Sequence, residues 1–234
     1  MPEAPRELPR DLNPWAWAVQ LLFGGYGLLL AVAVMSDWQE ILLLQAIQES
    51  GSYSEEALTE SDTRQVTIAG MQVVMYAVAA IAFLLWVYRA NRQVRVLGAA
   101  GLRFTPGWAV GWWFVPVMNL FRPYQVVKEV WLASAPGAVP EGGEDWKQGR
   151  APGLLGWWWG LVILEWLVGR ISMQLSVQAD TLDALLAASQ ATLAVDLLDL
   201  VLTALAILVV RGIALRLHER RTAVGRSLNL AVPT

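Results

Sequence analysis

Cysteine is absent from this 234-residue chain and histidine occurs once, at His218. Without thiols there is no disulfide, no thiolate nucleophile and no thiolate metal site, and one imidazole leaves little room for histidine-dependent chemistry. Charge is scarce as well, at 16% Asp, Glu, Lys and Arg, and the formal net charge of −3 gives no basic surplus for nucleic acid. No nucleic-acid partner and no cofactor are therefore expected. What the chain has in quantity is apolar: 56% hydrophobic residues, 13 Trp and a mean hydropathy of +0.45, which are membrane values.

Four stretches are long enough to cross about 30 Å of hydrocarbon, which takes roughly 20 helical residues. They are residues 14–35, 66–90, 153–175 and 191–216. A fifth apolar stretch, 107–121, is shorter and broken by Pro116. Basic residues are retained on the cytoplasmic side of short loops, and this decides its course. If 107–121 turns back, fifteen of the seventeen Lys and Arg share one side and only Arg64 and Arg170 lie opposite; if it crosses, the split is seven against ten. A re-entrant or interfacial hairpin over 107–134 is expected, either dipping into the bilayer or lying on its inner surface. The fold class is then an all-α polytopic membrane protein, with four transmembrane helices and that hairpin. Residues 1–13 and 218–234 are cytoplasmic segments flanking one membrane domain, 14–217. Ala31-Val32-Ala33 resembles a signal-peptidase site, but residues 1–13 carry three acids and three prolines instead of a basic start, so an uncleaved span is expected.

The seven acids from Asp37 to Asp62 then lie outside. There Trp38, Ile41, Leu42, Gln45 and Ala46 are spaced for a helix lying on the outer surface, with a capping box from Ser52 to Glu55. Asp180 and Asp183 are expected in the first turn of a helix running into the last span. Both halves read as span, external helix, span and basic inner end, a parallel repeat for which Leu-rich similarity is the competing explanation.

Within the hairpin, Trp108, Trp112 and Trp113 favour the headgroup boundary, and a helix begun near 108 should kink or end at Pro116. Asn119 is placed to satisfy backbone groups freed by the break. Residues 123–134 form an amphipathic helix with Val126, Val127, Val130 and Trp131 on one face. Arg89, Arg92, Arg95 and Arg103 form a basic stripe, read either as topological anchoring or as a site for anionic lipid headgroups. Arg89, Asn119, Arg122 and Tyr124, with the intramembrane acids Glu165 and Asp199, are the candidate polar site. Acids inside a span cost about 2.5–3.5 kcal/mol each, so they face protein or water. Glu165 and Asp199 fall at similar depth, as do Arg170 and Asp196, and an ion pair is expected between the latter two. Gly24, Gly25 and Gly27 permit close helix approach, within one chain or between copies in a homo-oligomer.

The run WVYRANRQVRVLG through LRFTPGWAVGWWFVPVMNLFRPYQVVKEVWLAS, then Trp146 and LLGWWWGLVILEW, resembles the bacterial membrane family called domain of unknown function 4328, over roughly residues 66–216. The resemblance implies a multi-span membrane protein without assigned catalytic residues. The family pattern has Asn where this chain has Gln93, so no role is carried over to that amide. Two functional classes follow: a non-catalytic sensing, scaffolding or anchoring membrane module, or a small transporter or channel with its site at the broken helix and the intramembrane acids.

Overall fold

The computed structural model describes residues 11–136 and 144–230. Arg6, Arg10 and Glu141, and with them most of the N-terminal segment and the last residues of the tail, lie outside the described residues. All regular structure among the described residues is helical: α1 (Asn13–Ser50), α2 (Glu55–Val96), α3 (Pro106–Gly111), α4 (Arg122–Ala133), α5 (Gly153–Val177) and α6 (Leu182–Leu230), with 3-10 turns at Met118–Leu120 and Asp145–Gln148. α1, α2, α5 and α6 through Arg226 are long and apolar enough to cross a membrane.

Three of these helices outrun the expected spans. The surface helix predicted after residue 35 is the continuation of α1, because nothing between Ser36 and Ser50 is Gly or Pro and no residue there stops propagation. Gly51, at φ +66°, ends it, donating its N–H to Ile47 O at 2.9 Å. The cap of α2 is also displaced from the expected position: Ser54 Oγ, not Ser52, accepts from Ala57 N. α2 closes with a Schellman pair, Ala99 N to Val94 O and Gly98 N to Arg95 O, both 3.0 Å, around Gly98 at φ +88°. α6 begins at Leu182, after Asp180, with Thr181 Oγ1 accepting from Ala184 N at 3.2 Å, and it continues through position 217 to Leu230.

Pro116 acts earlier than its own position. It offers no N–H to Trp112 O, so α3 stops at Gly111, and the chain turns at Val117 (φ +65°, ψ −44°). Met118 N donates to Pro116 O at 2.7 Å, closing a γ-turn that is strained for a β-branched residue. α4 then starts beside Pro123 and buries Val126, Val127 and Val130, as its periodicity predicts.

The chain forms two compact units. Unit 1 comprises Met1–Gln20, Ile81–Gly156 and Leu208–Thr234; unit 2 comprises Leu21–Ala80 and Trp157–Ile207. Unit 1 has an apolar core that includes Trp86, Leu97, Phe104, Val126, Leu155 and Ile213. At its centre Arg220, 1% exposed, donates Nε and Nη2 to Leu97 O (3.2 and 3.0 Å) and Nη1 to Ala133 O (2.7 Å). These carbonyls end α2 and α4, where helices leave acceptors unpaired and carry negative partial charge, so the guanidinium satisfies both. Nearby, Trp131 lies over Gly212, where any Cβ would strike the indole ring, and its carbonyl accepts from Arg216 Nε at 3.2 Å.

Unit 2 buries Leu30, Ile41, Leu44 and Leu202 together with the polar Ser36, Asp37, Ser172, Asp196 and Thr203, and it exposes large apolar side chains, among them Leu28, Met35, Val73, Leu167 and Met173. Such a surface suits hydrocarbon surroundings, with polar groups turned toward other helices. Gly25 and Gly27 lie against Met75 and Thr203 of the same unit, whereas Gly24 faces open space.

Candidate functional site

Glu165 on α5 and Asp199 on α6 are brought together in unit 2. Both line an open cavity of about 400 Å³ with Tyr26, Gln72, Tyr76, Trp166 and Asp196. Asp196 and Asp199 are three residues apart on α6, about 60° in helical azimuth, so both reach the same space. Tyr26 OH donates to Asp199 Oδ2 at 3.1 Å. Gln72 Nε2 donates to both oxygens of Asp196, at 3.0 and 3.1 Å. The aromatic wall is continuous, with the rings of Tyr26 and Tyr76 5.9 Å apart.

A second row of polar groups stands behind this cavity. Asp37, 2% exposed, receives Gln65 Nε2 on Oδ1 at 3.2 Å, and the same amide nitrogen reaches Glu40 Oε2 at 2.8 Å. Among the described residues no donor reaches Asp37 Oδ2, and the carboxyl lies within hydrogen-bonding reach of Asp196. Arg64 Nε donates to Ser36 Oγ at 2.9 Å. Among the described residues no three His, Cys, Asp or Glu side chains converge as metal ligands. Another concavity, about 930 Å³, is lined among the described residues by α2 alone, between Glu55 and Ile68.

The ion pair expected between Arg170 and Asp196 is not formed. Gln72 occupies Asp196, and Arg170 is exposed. Matching depth fixes height along a helix and leaves azimuth open. Arg170 follows Glu165 by five residues, about 140° around α5, so with Glu165 at the cavity Arg170 points away.

Unit 1 holds the other candidates, and they do not converge on one place. Arg89 stacks on Trp15, 3.8 Å from the ring centroid. Arg95 donates to Phe104 O at 2.7 Å and to Asn91 Oδ1 at 3.3 Å, while Arg92 is exposed. The basic stripe is thus divided between packed and solvated residues. Asn119 takes part in the turn through its backbone N–H, bonded to Val115 O at 2.9 Å, and its half-buried side chain makes no hydrogen bond among the described residues. Lys128 Nζ lies 6.0 Å from the Tyr124 ring. Trp108 and Trp112 stack at 4.6 Å, and Trp113 meets Phe83 edge-on at 5.6 Å.

Two carboxylates without an evident role in the sequence have clear ones here. Glu129 accepts the backbone N–H of Arg103 on Oε1 (2.6 Å) and of Phe104 on Oε2 (3.2 Å), fixing the loop before α3. Burial pushes its carboxyl above the ordinary value, against the pull of those N–H groups and of Arg95 and Arg103. Asp11 Oδ2 lies 3.2 Å from His218 Nδ1, joining the start of α1 to α6. Burial alone would raise Asp11; the Asn13 N–H, His218 and Arg221 outweigh it and hold the carboxyl below its usual range.

The pattern of the family described as Domain of unknown function (DUF4328) matches residues 49–214. The chain belongs to this family. The matched residues include every lining residue of the acid-walled cavity except Tyr26, which the preceding helix supplies. No curated protein and no solved structure matches the chain.

Proposed function

We propose that this family member is a non-catalytic integral membrane module that senses a small organic cation in the acid-walled cavity of unit 2. The observation that carries the reading is the joint lining of one open cavity by Glu165, Asp196, Asp199, Tyr26 and Tyr76. Carboxylates supply the counter-charge, and aromatic faces attract an alkylammonium through cation–π contact, worth about 0.5–2 kcal/mol per ring. The absence of convergent metal ligands among the described residues favours an organic cation over a metal ion.

The setting of this module is the cytoplasmic membrane of a bacterium, with both termini inside and residues 107–121 returning to the side they left. Two features support it. With that return, fifteen of seventeen basic residues share the side that charge retention favours, and α3 and α4, six and twelve residues long, are too short to cross a bilayer.

The test is equilibrium binding of tetramethylammonium and n-butylammonium to the full chain in nanodiscs. Binding that weakens at least roughly tenfold in Glu165→Gln and Asp199→Asn supports the reading. Equal binding by wild type and both variants refutes it. The openness of the cavity also favours a second reading, passage of the cation through the protein, and proteoliposome flux of the same probes separates the two.

A further inference from the structure

A second cavity, in unit 1 and unrelated to the acid-walled one, has the opposite charge. It measures about 190 Å³ and is lined by Arg103, Phe104, Thr105, Trp108, Trp112 and Arg122. Phe104 is 5% exposed, and two guanidinium groups stand over its ring, with Cζ of Arg103 at 5.5 Å and of Arg122 at 5.8 Å from the centroid. Arg122 is also 5.4 Å from the Trp112 ring.

Like charges brought to one ring repel unless an anion sits with them. Among the described residues no carboxylate lines the cavity. Glu129 is the acid beside Arg103, and both its oxygens are taken by the backbone N–H groups of Arg103 and Phe104. Arg122 donates Nη1 to the Gln125 side-chain oxygen at 3.0 Å, a neutral acceptor that leaves its charge uncompensated. Thr105 Oγ accepts from Trp108 N at 3.4 Å, which leaves its hydroxyl proton to donate. Two planar forks and a hydroxyl match the several oxygens of a phosphate better than a single carboxylate. Trp108, 52% exposed and stacked on Trp112, adds an indole suited to the headgroup level.

We propose that the Arg103–Arg122 cavity binds a phosphate group, supplied either by a lipid headgroup or by a free phosphate ion. Arg89, Arg92 and Arg95 are not part of this site.

The experiment uses the full chain in two arms. In the first, nanodiscs of phosphatidylglycerol or of phosphate-free digalactosyldiacylglycerol are disassembled and retained lipid is counted by native mass spectrometry. In the second, inorganic phosphate is titrated onto protein in galactolipid nanodiscs and followed by phosphorus NMR. Retention of phosphatidylglycerol identifies a headgroup site, and binding of inorganic phosphate a free-ion site; either supports the shared chemistry. Arg103→Gln with Arg122→Gln should weaken the positive arm by roughly tenfold or more, and Arg150→Gln, at an exposed position outside the cavity, should leave it unchanged. If neither probe binds wild type, or if Arg150→Gln weakens binding as much as the double change, the proposal is overturned. Should the double variant not fold, Arg122→Lys decides: losing the fork lowers retention several-fold if the site is real, and undiminished retention overturns it.

Discussion

Replacing Arg220 by Met tests how unit 1 is held together. The side chain is buried, and its three donors reach the carbonyls that end α2 and α4 at 2.7–3.2 Å. Met fills much of the same volume and removes every donor. Two buried acceptors are left unpaired, at about 1–3 kcal/mol each. Removing a buried charge returns part of its desolvation cost, so the expected net loss is about 3 kcal/mol. Arg220→Lys keeps the charge but cannot fork to two carbonyls, and should lose about 1–2 kcal/mol. Thermal unfolding in detergent, followed by circular dichroism, should rank wild type above Lys above Met. A Met variant within about 0.5 kcal/mol of wild type would refute the reasoning, since it would mean that water or rearranged helix ends satisfy those carbonyls equally well.

Further changes test separate parts of the account. Gly212→Val drives a side chain into the Trp131 ring and should cost about 1–3 kcal/mol in the same unfolding assay. Gly98→Ala places a Cβ at φ +88° in the Schellman turn, and a loss of about 1–2 kcal/mol is expected. Val117→Gly should instead stabilise by about 1 kcal/mol, by relieving the γ-turn. Asp11→Asn should cost less than about 1 kcal/mol near neutral pH, because the pair is largely solvated. The Asp11 carboxyl is held below its ordinary value, so its contribution is present above that value and lost as pH falls through the lowered one. Wild type and the Asn variant should therefore converge in acid, and a gap that widens there would contradict the pairing. Since the chain has no cysteine, Lys128→Cys is a unique label site; a membrane-impermeant maleimide should reach it from the cytoplasmic face only.

The apolar run lengths were enough to locate the four long helices, because about 20 residues of hydrocarbon-compatible sequence leave few other folds. Pro116 and Pro123 likewise announced the end of α3 and the start of α4 through their missing N–H groups. Helix ends were less legible. A bilayer's thickness determines where apolar composition stops, but α1 and α6 stop only where Gly51 intervenes or beyond Leu217, since polar residues extend helices as readily as leucines do. The acids of the cavity were visible as costly residues in apolar surroundings. Their partners Tyr26 and Gln72 were not, because a Tyr or Gln in a span carries no mark of which helix it faces. Arg220 was hidden more thoroughly: it accompanies Arg216, Arg221 and Arg226 in a stretch that reads as a solvated basic end, and its acceptors are backbone carbonyls, which leave no trace in side-chain sequence.

The most direct test of the cavity's role again uses the cysteine-free background. Ala69 is exposed and lines the acid-walled cavity, so Ala69→Cys places a thiol there for a small methanethiosulfonate reagent in nanodiscs. Binding of n-butylammonium predicts slower labelling of this cysteine in a saturable manner, with the protection lost when Glu165→Gln and Asp199→Asn are added. Labelling at the same rate with and without the amine, or protection that survives loss of both acids, would contradict the account.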